Sequence, residues 1–241
     1  MTDLEPSSQP EPADLSAGSN HRDSALPFEL LSETAAVGVN GALSIGGVDV
    51  EELARTYGTP LFVYDEAHLR ARCAEAISVF GPGGAIYATK AFLCRAMARL
   101  AYEEGMRLDV ATSGEMFVAL QAGVPPEALE FHGNNKSMEE LEQALQAGVG
   151  RIVVDSFDEL ARIESLVAAG FGPPQVLLRI NPGIEVHTHE HVQTGNLDSK
   201  FGFPLSTGQA EEAVQLARRS SAMELVGLHL HIGSQVFSVA N

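Results

Sequence analysis

Residues 129–155 read LEFHGNNKSMEELEQALQAGVGRIVVD, one complete structural period. Leu129–His132 is a short apolar run of strand type, followed by the polar loop Gly133-Asn134-Asn135-Lys136. Ser137 stands where an N-cap stands, one residue before the helical pattern Met138–Ala147. Gly148 closes that pattern as a C-terminal glycine does, and Ile152–Asp155 opens the next strand. A strand followed by a helix and a second strand makes a parallel pair, because parallel neighbours need a long crossover.

The period repeats on both sides. Strand-like runs are expected at Leu61–Tyr64, Ala85–Ala88, Leu108–Ala111, Val176–Ile180 and Leu225–Ile232. Helical patterns lie between them at Ala91–Glu104, Glu115–Ala122, Phe157–Ala169 and Gly208–Ser220, the last two with Ser156 and Thr207 as N-caps. Upstream, Val48–Tyr57 reads as a short helix, Ala42–Ile45 as a strand, and Asn40-Gly41 and Gly46-Gly47 as turns. Residues 1–26 hold three prolines, five serines and five acids with almost no large apolar side chain, and read as a disordered acidic tail.

Repeated strand–helix units leave two architectures, an open doubly wound sheet or a closed barrel. The units recur every 20 to 25 residues or so, the spacing of an eight-fold barrel. Polar residues also sit at the C-terminal ends of strand after strand (Lys90, Asp109, His132, Asp155, Arg179 and His231), where barrels keep their active sites. A Rossmann unit needs Gly-x-Gly-x-x-Gly after a strand, whereas Gly81-Pro82-Gly83-Gly84 precedes one. The expected fold is an α/β chain of (β/α)8 type, incomplete, with about six barrel strands.

Fifteen Lys and Arg against 32 Asp and Glu give a net charge of −17, which argues against nucleic-acid binding. No apolar run is long enough to span a membrane. Cys73 and Cys94 make no disulfide framework and suit a reducing, cytoplasmic setting. With only three lysines among 241 residues, the position of each one counts.

Lys90, at a strand end in Tyr87-Ala88-Thr89-Lys90-Ala91, can serve as a partly desolvated Schiff-base amine or simply open a helix on the surface. Asp109 and Glu115 can orient an amine or cofactor; equally, one ends a strand and the other occupies a first helical turn. Five of the eight histidines fall in His187-Thr188-His189-Glu190-His191 and His229-Leu230-His231. His229 and His231 share one strand face, which admits a metallohydrolase with His132 and Asp155 as further ligands, or packed core histidines. His231-Ile232-Gly233-Ser234 can set an imidazole against a planar ligand, with Ser234 on an anion.

Taken in order, Tyr87–Ala91, Leu108–Glu115, Gly133–Ser137, Arg179–Gly183, Ser199–Gly202 and Gly227–Gln235 resemble the alanine-racemase-like, fold-type III pyridoxal-phosphate decarboxylases. Within that group, His187-Thr188-His189, Gln193-Thr194-Gly195 and Ser199-Lys200-Phe201-Gly202 resemble the diaminopimelate branch more than the ornithine and arginine branches. The resemblance spans about residues 27–241 and takes in all three lysines. It implies residues 27–65 as a lead-in shared with a second, β-rich domain, and residues 66–241 as a partial pyridoxal-phosphate barrel.

The resemblance further implies decarboxylation of meso-2,6-diaminopimelate to L-lysine by a homodimer acting on a small amino acid. Lys90 would carry pyridoxal phosphate as a Schiff base, His231 would stack on its ring and Ser234 would bind its phosphate. Asp109, Glu115 and Arg179 would lie around the cofactor. The family's glycine-rich phosphate loop, its Glu-Pro-Gly-Arg segment and its β-domain Cys and Tyr do not occur in this sequence. The expectation is therefore the N-terminal part of a longer decarboxylase, inactive alone, the further alternative being a non-catalytic remnant.

Overall fold

The computed structural model describes residues 28–183 and 200–233, in two compact units divided between Leu69 and Arg70. In the first unit, β1 (Ala36–Val37), β2 (Leu43–Ile45) and β3 (Val48–Asp49) form an antiparallel sheet, and α1 (Val50–Tyr57) follows directly. Asp49 caps α1, its carboxylate accepting from the N–H groups of Glu51 and Glu52. The helix expected from Val48 thus begins two residues later, the first two residues pairing with β2 instead. Leu61–Tyr64 takes no place in a sheet among the described residues. An extended run becomes a strand only when a neighbour takes its N–H and C=O groups, and sequence pattern cannot supply that neighbour.

A helix that hydrophobic periodicity does not announce, α2 (Glu66–Phe80), comes next. Only Cys73 of its residues is buried, so no apolar stripe marks it. Asp65 starts it by accepting the His68 N–H.

The second unit alternates strand and helix, with one short extra strand, β9, after β8: β4 (Ile86–Ala88), α3 (Arg95–Glu103), β5 (Arg107–Val110), α4 (Ser113–Gln121), β6 (Leu129–Phe131), α5 (Met138–Ala147), β7 (Arg151–Val154), α6 (Phe157–Ala168), β8 (Gln175–Asn181), β9 (Phe203–Pro204), α7 (Gln209–Arg219) and β10 (Glu224–Leu230). The main strands pair in parallel in chain order, β4-β5-β6-β7-β8-β10, with the short β9 attached to β8. Strictly sequential order has no reversal point, which separates a barrel wall from a Rossmann sheet. The six barrel strands expected from sequence are all present.

The division into an apolar and a polar face is clearest in β5 and β6. Leu108, Val110, Leu129, Phe131, Ile152, Val154, Val176 and Leu178 are wholly buried, as are Ala98, Ala119, Leu141, Ile163 and Ala213 on the helices. The core therefore lies between the sheet and its helices. On the opposite face Asp109, Glu130 and Arg151 fall in register across β5, β6 and β7, and Arg179 pairs with His229 across β8 and β10. Glu130 is buried there and accepts from Arg107 (3.1 Å) and Arg151 (2.7 Å). At the sheet edge β10 exposes Val226, Leu228 and Leu230.

Ser137 forms a full capping box with Glu140, and Gly148 ends α5 in the left-handed conformation at φ 76°, open to glycine without steric cost. Ser156 caps α6 as expected. Thr207 does not cap α7: Gly208 occupies the cap with φ 82°, and the Thr207 hydroxyl donates to the Pro204 carbonyl instead. The helix expected from Ala91 starts at Arg95. Lys90 sits in a separate 3₁₀ turn, Thr89–Ala91, and the Phe92 carbonyl beyond it accepts from the Tyr87 hydroxyl at 2.6 Å.

Candidate active site at the strand ends

The turn carrying Lys90 is tied to its neighbours. Thr89 is buried and donates to the Asp109 carbonyl at 2.7 Å, locking the end of β4 to β5. Lys90 itself is exposed, so the partial desolvation expected for it is not what the structure displays. Asp109, on the polar face of β5, has its pKa pushed up by burial to about 6, against the opposing pull of Lys90 and Arg179 and with Glu115 and Glu130 adding to the rise.

Arg179 occupies the same face of β8. Its guanidinium pairs with Asp155 at 3.5 Å and lies over the Phe201 ring at 4.4 Å. Asp155 also accepts from the Gly202 N–H at 2.8 Å. Gly202 is held at φ 71°, and a Cβ there would come within 2.6 Å of the Arg179 carbonyl, so only glycine permits this approach. Burial pushes the Asp155 carboxyl up, while Gly202, Arg179 and Lys136 pull it back.

His132, just past β6, meets His229 of β10 edge to face, with ring centroids 4.8 Å apart. Burial drives both imidazoles toward neutrality, His132 to about 3 and His229 to about 4, helped by Arg179 and Lys90. His231, two residues on, keeps part of its surface in solvent and is lowered by partial desolvation and by the same two cations. The Nδ1 of His229 is buried without a hydrogen-bond partner among the described residues.

Five of the six residues singled out from sequence lie at or just past the C-terminal strand ends, where the charges of Lys90 and Arg179 reach both Asp109 and His231, and Glu115 reaches Asp109. Glu115 is used at the start of α4, where its carboxylate accepts from the Ala111 N–H at 2.6 Å. Ser234 lies outside the described residues, as do His187, His189 and His191. No group of three or more metal-ligating side chains occurs among the described residues, which leaves the metallohydrolase alternative without a site there. Sequence reasoning missed Asp155 as the partner of Arg179, and the buried Lys136–Glu159 ion pair. The Asp155-Ser156-x-x-Glu159 spacing carries part of that signal, since it parallels Ala111-Thr112-x-x-Glu115.

A primary amine, a guanidinium, a carboxyl and imidazoles on one rim of strand ends, with one buried ring nitrogen unpartnered among the described residues, make a donor set that fits an anionic, planar aldehyde. Residues 66–241 match the family described as pyridoxal-dependent decarboxylase, pyridoxal binding domain. The chain is 50% identical over 208 residues to the diaminopimelate decarboxylase of Bacillus methanolicus, covering 85% of this chain and 48% of that protein. It is 49% identical over 205 residues to that of Bacillus subtilis, covering 83% and 47%. Among solved structures it resembles diaminopimelate decarboxylase from M. jannaschii in complex with L-lysine, with TM-score 0.76, 32% identity and coverage of 87% and 50%. The Helicobacter pylori enzyme complexed with L-lysine gives TM-score 0.71, 33% identity and coverage of 78% and 48%. The chain spans about half the length of the curated relatives it matches. With the family match running over the whole barrel wall and the amine-bearing turn at its rim, the chain belongs to the pyridoxal-dependent decarboxylases through their pyridoxal-binding domain.

Proposed function

We propose that this chain supplies the cofactor-binding part of a diaminopimelate decarboxylase, which releases carbon dioxide from meso-2,6-diaminopimelate to leave L-lysine. The observation that carries the reading is the placement of Lys90, Asp109, Arg179 and His231 at the C-terminal ends of β4, β5, β8 and β10, one rim of the parallel sheet. The choice of substrate draws support from the 50% and 49% identities to diaminopimelate decarboxylases.

Bound here, pyridoxal phosphate supplies an electron sink for the bond broken at the substrate α-carbon. Lys90 anchors it from a turn pinned by Thr89 and Tyr87, and its exposure leaves the amine open to exchange with an incoming substrate amine. His231 offers an imidazole face to the ring. Asp109 balances the Lys90 and Arg179 charges, and Arg179 is steadied by Asp155 and Phe201. Glu115 keeps the Ala111 turn next to Asp109 in place. Ser234, in His231-Ile232-Gly233-Ser234, is assigned to the phosphate on its place in that motif. We set the start of the pyridoxal-binding domain at Glu66, the first residue of α2. A homodimer in the cytoplasm is the assembly and setting we assign to the whole protein, on the family resemblance and the two free cysteines. No helix among the described residues is long and apolar enough to cross a membrane.

The test is borohydride reduction after incubation with pyridoxal phosphate, followed by peptide mapping. The pyridoxyl mass belongs on Lys90 and should vanish in Lys90→Ala; labelling that survives the substitution overturns the assignment. Carbon dioxide release by the whole protein from diaminopimelate, ornithine and arginine then decides the substrate, and a preference for ornithine or arginine moves it to that branch.

A further inference from the structure

Lys136 is one of the most deeply buried side chains in the described residues, 2% exposed, yet it is a cation. Its ammonium has three protons and three acceptors: the Gly133 carbonyl at 2.6 Å, the Val153 carbonyl at 2.7 Å and Glu159 Oε1 at 2.7 Å. Glu159 is 3% exposed. Its Oε1 has no other partner among the described residues, and its Oε2 accepts from the Asp155 N–H at 3.1 Å. Burial alone pushes the lysine down and the glutamate up, while each restrains the other's shift.

The contacts run in one direction, toward the strand ends. Lys136 joins the end of β6 to β7, and Glu159 holds the backbone of Asp155 just past β7. Asp155 then reaches Arg179 on β8 and the Gly202 N–H. Two buried charges are costly to hold, and an apolar pair of similar volume would serve packing as well. An apolar pair could not hold the Asp155 N–H.

We infer that Lys136 and Glu159 form a positioning pair that sets Asp155, and through it Arg179, for the ligand bound at the strand ends. The inference rests on the reading of Arg179 as part of the pyridoxal-phosphate site. Neither residue touches that ligand; both act through Asp155.

The experiment compares the parent chain with Lys136→Met/Glu159→Leu, which replaces both charges and keeps an apolar core. Pyridoxal-phosphate affinity is read by absorbance titration and stability by thermal melting. The double variant should melt near the parent and bind about 10-fold more weakly, and in an Arg179→Ala background that loss should shrink below about 2-fold. Glu159→Gln keeps an acceptor for Asp155, so it should stay within about 3-fold of the parent and guards against a double variant that does not fold. Unchanged affinity in the double variant, or the same loss with and without Arg179, overturns the inference and leaves the pair a packing feature. A Glu159→Gln loss as large as that of the double variant overturns it as well. The Arg179 Nη–H resonances, which report the nitrogen that faces Asp155, provide a readout without cofactor. Faster exchange in the double variant supports the chain of contacts, and an unchanged signal overturns it. If the parent fails to take up pyridoxal phosphate, the proposed function falls, and the resonances alone decide the positioning role.

Discussion

His132 and His229 touch edge to face at 4.8 Å although two strands, β7 and β8, lie between β6 and β10. Across a flat sheet, three strand spacings would separate their backbones by about 14 Å. The contact therefore requires the polar face to be concave, as the inside of a barrel is. It also explains why both imidazoles lose solvent. Each faces the other, with Arg179 and Lys90 close enough to disfavour a further positive charge.

That pair should remain neutral throughout the neutral range. Their folded pKa values, about 3 and about 4, lie below the ordinary 6.5. The stability they contribute is present above pH 6.5 and is lost as pH falls toward 4 and then 3. Imidazole shifts of His132 and His229, followed by NMR from pH 8 down to about 5, should stay flat. A midpoint near 6.5 for either ring contradicts the buried contact.

Asp109 behaves in the opposite sense. Its folded pKa of about 6 lies above its ordinary 3.8, so the folded state binds the proton more tightly. Stability from this group is full below pH 3.8 and declines as pH rises through about 6. Asp109→Asn should stabilise the chain at pH 7 by about 1–2 kcal/mol and have little effect near pH 4. Denaturant melts at the two pH values measure the difference, and equal effects at both would count against the shift.

Glu130 holds Arg107 and Arg151 on the concave face with a carboxylate that is 1% exposed. Glu130→Ala leaves two guanidiniums facing each other without their shared counter-charge and should cost about 3 kcal/mol or more. A loss under about 1 kcal/mol in denaturant unfolding would make the cluster no stronger than a surface pair.

Ser137 serves α5 rather than chemistry. Ser137→Ala removes one half of the capping box and should cost about 1 kcal/mol in thermal or denaturant unfolding, leaving Lys90 labelling by pyridoxal phosphate unchanged. Lost labelling at unchanged stability would give the hydroxyl a role at the site.

Much of this protein is legible in its sequence because much of it is local. The alternation of apolar runs and capped helices marked all six parallel strands, and Ser137, Gly148 and Ser156 punctuate their helices as their side chains and backbone freedom require. Residues at strand ends point to one rim whatever the details, so Lys90, Asp109, Arg179 and His231 could be singled out before any contact was known. α2 escaped because its burial is too slight to leave a periodic stripe, and Leu61–Tyr64 reads as a strand but takes no place in a sheet among the described residues. Only the tertiary structure decided which charges share a surface. Asp155 with Arg179, His132 with His229, and Lys136 with Glu159 are 23 to 97 residues apart. Their pairing follows from sheet curvature and strand register, which depend on the whole set of strands and which no window of sequence contains.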